Sequence, residues 1–173
     1  MFKSNRVFAK IKMILCSLLF TAILLGGCKR ELTGEAELIE KAREEINLAD
    51  ADTIDLAIIG ESVEGESHLV WFMSGNSNQA HSYFPIEFLE VEANTYTFEK
   101  EYLAIKRGED IYVLIWDYGY SFCVNNPKCK EILITDAEGE IQRIAVNEVP
   151  FVYYYKGTPS KYIFIDSEGN ELR

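Results

Sequence analysis

Residues 111–124 read Ile111-Tyr112-Val113-Leu114-Ile115-Trp116-Asp117-Tyr118-Gly119-Tyr120-Ser121-Phe122-Cys123-Val124. The first six are apolar or aromatic at every position, and the run is too short for a buried helix. A strand covered on both faces has this character, so the stretch belongs in the middle of a sheet. Tyr162 to Ile165 reads the same way.

Working outward, short apolar or alternating runs recur about every ten residues with turn residues between them, the pattern of antiparallel sheets. The predicted strands cover 53–59, 68–73, 82–91, 96–106, 111–117, 120–124, 131–136, 140–146, 151–156 and 161–166, with a stub at Glu171. Gly108, Gly139 and Gly169 stand where hairpins need a positive φ. The last two close the repeated pattern Asp-x-Glu-Gly at 136–139 and 166–169, which reads as one turn used twice. The expected fold is mainly β, an antiparallel sandwich with Ig-like packing preceded by one N-terminal helix. One helix on a curved antiparallel sheet is the alternative; the Cys…Trp…Cys spacing of immunoglobulin domains is missing. The helix is predicted from Thr33 to about Ala49, with Ile39, Ala42, Ile46 and Ala49 at helical spacing, Thr33 as N-cap, and Glu37 paired with Lys41.

The amino end carries a different message. Lys3, Arg6, Lys10 and Lys12 precede an apolar run from Met13 to Leu25, the pattern of a signal peptide and too short for a comfortable bilayer span. Leu25-Gly26-Gly27-Cys28 follows, and this resembles the lipobox of bacterial lipoproteins. The resemblance covers only the export segment. It implies a diacylglyceryl group on the Cys28 thiol, cleavage before Cys28 and a further acyl chain such as palmitate. The expected organisation is a signal peptide at 1–27, a lipidated Cys with tether and helix at 28–52, and one β-rich domain at 53–173. The expected location is the extracytoplasmic face of the cell membrane, or the outer membrane of a two-membrane host.

Removal of 1–27 leaves 146 of the 173 residues; 17 basic residues less those four, against 28 acidic ones, leave a net charge of −15. That field disfavours nucleic acid and favours a cationic partner. Cys123 and Cys129 bracket a polar turn segment in a thiol-poor compartment, and a local disulfide is expected.

The search for chemistry yields little. Gly-x-Ser-x-Gly, His-Glu-x-x-His and phosphate-binding or dinucleotide-binding glycine patterns are all missing, and no cofactor is expected. His68 and His81, with Ser74, Ser77 and Ser82 near them in sequence, are the residues an envelope hydrolase would use. Acidic groups at Asp50, Asp52 and Asp55, and at Asp136, Glu138 and Glu140, resemble calcium donors in type, but not in EF-hand spacing. Trp116, Tyr118 and Tyr120 fall on one side if a strand runs on through Gly119, and are the candidate binding surface. The function expected is a non-enzymatic, lipid-anchored binding module of the cell envelope, with an envelope protein, peptide or glycan as partner.

Overall fold

The computed structural model describes residues 29–46, 55–75, 82–108 and 110–172. The chain order of its elements is β1 (Glu31–Thr33), α1 (Gly34–Glu45), β2 (Leu56–Glu64), β3 (Ser67–Ser74), β4 (Ser82–Glu92) and β5 (Thr95–Glu101). Then come β6 (Ile105–Lys106), β7 (Ile111–Trp116), β8 (Gly119–Val124), β9 (Glu131–Thr135), β10 (Ile141–Ala145), β11 (Phe151–Lys156), β12 (Lys161–Ile165) and β13 (Glu171–Leu172). The strands form three antiparallel sheets. Sheet A has the order β1-β5-β4-β3-β2, sheet B the order β11-β8-β7-β6, and sheet C the order β10-β9-β12-β13. The fold is mainly β, an antiparallel sandwich preceded by one helix.

Strand alternation explains how the layers stack. On β3, Val70 and Phe72 face α1, whose Leu38 and Ala42 complete that core together with Ile86 and Phe88 of β4. Leu69 and Trp71, of opposite parity, face sheet B and meet Leu114, Trp116 and Cys123. The other face of sheet B presents Val113, Phe122 and Val124 to Ile132, Ile134 and Phe164 of sheet C. Helix, sheet A, sheet B and sheet C are therefore successive layers, and sheets A and B are covered on both faces. This is why β3 and β7 read as unbroken apolar runs. Each large side chain buried between layers contributes roughly 1.5–3 kcal/mol.

A polar seam fixes the register of sheet A on sheet B. Ser121 Oγ lies 2.7 Å from Ser62 Oγ and accepts a bond from the Trp71 indole Nε1 at 2.7 Å, all three residues being buried. Tyr154 donates to Glu64 at 3.1 Å, and burial with that carboxylate nearby pushes its phenol up to about 12.

Several element boundaries differ from expectation for local reasons. The predicted strand 96–106 is two strands, because the chain leaves sheet A after Glu101 and joins sheet B at Ile105. Helix α1 ends at Glu45, and the Ile46 N–H closes on Ala42; Ala49 lies outside the described residues. The Thr33 hydroxyl makes no cap; instead its N–H donates to Glu37 at 2.7 Å. With Glu37 so engaged, Lys41 pairs with Glu44 and Glu45 rather than Glu37.

The repeated Asp-x-Glu-Gly turn is one device used twice. Asp136 Oδ1 accepts the Glu140 N–H at 2.8 Å and Asp166 Oδ1 the Asn170 N–H at 2.9 Å. Gly139 and Gly169 hold φ of 90° and 86°, the left-handed conformation that a side chain would strain.

Candidate functional site

The aromatic side predicted from 116–120 does not form. Asp117 and Tyr118 are the turn of the β7–β8 hairpin, with Trp116 paired to Gly119. The chain reverses there, so counting by twos through the turn puts residues on the wrong faces. Trp116 is 3% exposed between sheets A and B, against Tyr118 at 4.9 Å and Tyr154 at 5.5 Å between ring centroids. Tyr118 is 43% exposed at the turn, where its hydroxyl is 3.1 Å from Ser67 Oγ. Tyr120 packs on the opposite face of sheet B, toward sheet C.

Cys123 and Cys129 are free, buried thiols, a correction to the expected disulfide. Cys123 points between sheets A and B, whereas Cys129 packs in the core between sheets B and C. Sheet B separates them. Burial pushes both thiols up, that of Cys123 most strongly.

His68 lies on β3 and is 8% exposed. Its Nδ1 is 3.0 Å from Glu61 Oε2, its Nε2 is 3.4 Å from Glu90 Oε2, and the Tyr96 ring meets it edge-on at 5.2 Å. Ser74 and Ser82 pair with each other at the far end of β3, six residues from His68. At about 3.3 Å per residue that is roughly 20 Å, far outside hydrogen-bond reach. The imidazole is held by carboxylates on neighbouring strands and reaches neither hydroxyl. His81, Ser77, Cys28, Asp50 and Asp52 lie outside the described residues. Asp136 is spent on its own turn, and among the described residues no three His, Cys, Asp or Glu side chains converge to hold a metal.

The structure instead points to the outer face of sheet C. Ile132, Ile134 and Phe164 face inward, so alternation sends Leu133, Ile163 and Ile165 outward, and they are only half-buried. An open cleft of about 370 Å³ lies there. Leu133 and Ile165 form its floor, and Lys130, Glu131, Arg143 and Asp166 stand around it. Register brings these together: Arg143 on β10 lies opposite Leu133 on β9, while Ile165 on β12 lies opposite Glu131 on β9. Arg143 pairs with Glu131 at 2.6 Å, and the Lys130 ammonium donates to the Pro127 carbonyl at 3.0 Å. Hydrogen bonds from Asn170 and from the Glu168 backbone hold Asp166 below the usual carboxylate range.

No known family, curated protein or solved structure matches the chain.

The cleft therefore has to be judged on its own chemistry. An apolar floor with charges of both signs at the rim suits an amphipathic guest, and the volume falls within the usual range of ligand sites. Ser167 is the one hydroxyl residue in its lining, and neither His nor Cys lines it. A second uncovered apolar strip, Leu103, Ile105 and Ile115, lies along the β6 side of sheet B, but β6 blunts that edge. Among the described residues no helix is long and apolar enough to cross a membrane.

Proposed function

We propose that this chain is a membrane-anchored extracytoplasmic lipoprotein, held through lipids on Cys28, and that it works as a non-enzymatic binding module of the cell envelope with the outer face of sheet C as its binding face. One observation carries the choice of face. The two ends of the layer stack are finished differently: α1 covers sheet A with Leu38 and Ala42, while Leu133, Ile163 and Ile165 on sheet C stay half-buried beside a cleft. Uncovered apolar surface rimmed by charge is the usual mark of an interaction site. The anchor reading rests on the charged start, the apolar run and Leu25-Gly26-Gly27-Cys28.

The test is covalent cross-linking of the full chain on intact cells, wild type against Leu133→Asp and Ile165→Asp, each checked for folding by circular dichroism. The expected result is a cross-linked partner that both variants lose. A partner retained by both variants overturns the choice of face. Turnover of an envelope substrate that disappears in His68→Ala overturns the non-enzymatic reading. Cys28→Ala is expected to move the protein out of the membrane fraction, and unchanged fractionation contradicts the anchor.

A further inference from the structure

Strand β10 is one of the two edge strands of sheet C, the two-residue β13 being the other. The Asp136 N–H donates to the Glu140 carbonyl and the Val146 N–H to the Lys130 carbonyl, so the even-numbered residues of this strand bond inward to β9. In an antiparallel ladder the alternate residues then direct both N–H and C=O away from the sheet. Those residues are Ile141, Arg143 and Ala145, all exposed, and no backbone partner is found for them among the described residues. Their side chains lie on the outer face, because their β9 partners Thr135, Leu133 and Glu131 alternate with buried Ile132 and Ile134. The open edge and the cleft therefore belong to one surface.

The charge along this edge says what fits it. The β9–β10 turn carries Asp136, Glu138 and Glu140, none of them ion-paired among the described residues, and Glu148 lies beyond the other end of β10. The one cation on the strand, Arg143, is already engaged by Glu131. At the start of the strand, beside the acidic turn, Ile141 is 61% exposed. A second copy of the chain is a poor occupant. Antiparallel pairing of two β10 strands with all five residues overlapped sets Arg143 against Arg143, and like charges directly opposed destabilise a strand pair. Charge on an edge strand is a common device against self-association.

Resting on the binding face proposed above, we propose that β10 accepts an extended peptide segment as an added antiparallel strand. Its guest is a segment of alternating basic and apolar residues. Its backbone pairs with Ile141, Arg143 and Ala145, an apolar side chain covers Ile141, and its cations lie along the acidic turn.

The probes are nine-residue peptides of alternating Lys and Val, Ser and Val, or Glu and Val, titrated into the full chain in non-ionic detergent. Amide exchange by NMR reports where each one binds. The Lys/Val peptide is expected to slow exchange at Ile141, Arg143 and Ala145, and to bind about tenfold or more tightly than the Glu/Val peptide. Arg143→Pro removes an outward N–H that β9 does not use and is expected to weaken binding about tenfold. Equal binding of acidic and basic peptides, or protection elsewhere in the chain, overturns the proposal. Slow exchange in the free protein with a dimer in sedimentation overturns it in favour of a second copy. If Arg143→Pro unfolds the chain, the wild-type protection pattern decides alone. On cells, loss of the partner with Leu133→Asp but not with Arg143→Pro keeps the binding face and rejects strand addition. Loss with neither rejects both.

Discussion

Sheets A and C are built from similar strands yet end the molecule differently. Sheet A carries Val70, Phe72, Ile86 and Phe88 on its outer face, and α1 buries all four. Sheet C carries Leu133, Ile163 and Ile165 on its outer face and leaves them half-buried beside charged residues. The difference separates two uses of apolar surface, one holding the fold together and one free to hold something else.

The sharpest way to break the comparison is to make the same truncation at both ends. Leu38→Ala, under α1, is expected to cost about 2–5 kcal/mol, while Leu133→Ala is expected to cost under about 1 kcal/mol because water already reaches the site. Chemical denaturation of both variants measures this, and equal losses would mean that sheet C is covered. The two tryptophans offer a second contrast within the A–B core. Trp71→Phe removes the indole bond to Ser121 and is expected to cost about 1–3 kcal/mol. Trp116 buries its Nε1 without a hydrogen-bond partner among the described residues, so Trp116→Phe is expected to lie within about 1 kcal/mol of neutral. A third contrast is chemical. Both thiols are buried, so a maleimide reagent at pH 8 should leave Cys123 and Cys129 unlabelled in the folded chain, both yielding only as denaturant is added. Peptide mapping by mass spectrometry reads this, and a linked Cys123–Cys129 peptide would contradict it.

The smallest expected effect is on pH. The folded-state pKa of Asp166 is lowered from 3.8 by the Asn170 backbone bond. A depressed carboxylate contributes stability above its unfolded pKa and loses it as pH falls through the lower folded value. The β12–β13 turn at the cleft should therefore keep its NMR shifts down to about pH 4 and change only below that. A transition centred nearer pH 6 would contradict the assigned hydrogen bonds.

How much of this was legible depended on how far apart the deciding residues lie. The strands around 111–124 and the twin Asp-x-Glu-Gly turns depend on a few consecutive residues, and alternation or turn chemistry exposed them. The helix was visible, but its end was not, because Ile46 continues the apolar spacing past the last helical turn. β1, only three residues long, offers no period to detect. Trp116, Tyr118 and Tyr120 misled because a parity count cannot cross a two-residue turn. Cys123 and Cys129 misled because six positions say nothing about which face of a sheet each occupies. The cleft was invisible, since Leu133, Arg143 and Ile165 meet only through the registers of β10 on β9 and β9 on β12.

The most direct test is amide hydrogen exchange by NMR on the isolated full chain in non-ionic detergent, read residue by residue along β10 and compared with β3. The amides of β3, paired on both sides by β2 and β4, should all exchange slowly. Along β10, Gln142 and Ile144 should be slow and Ile141, Arg143 and Ala145 fast. Uniformly slow exchange along β10 would mean that another strand already covers the edge, and the binding face argued for sheet C would fall with it.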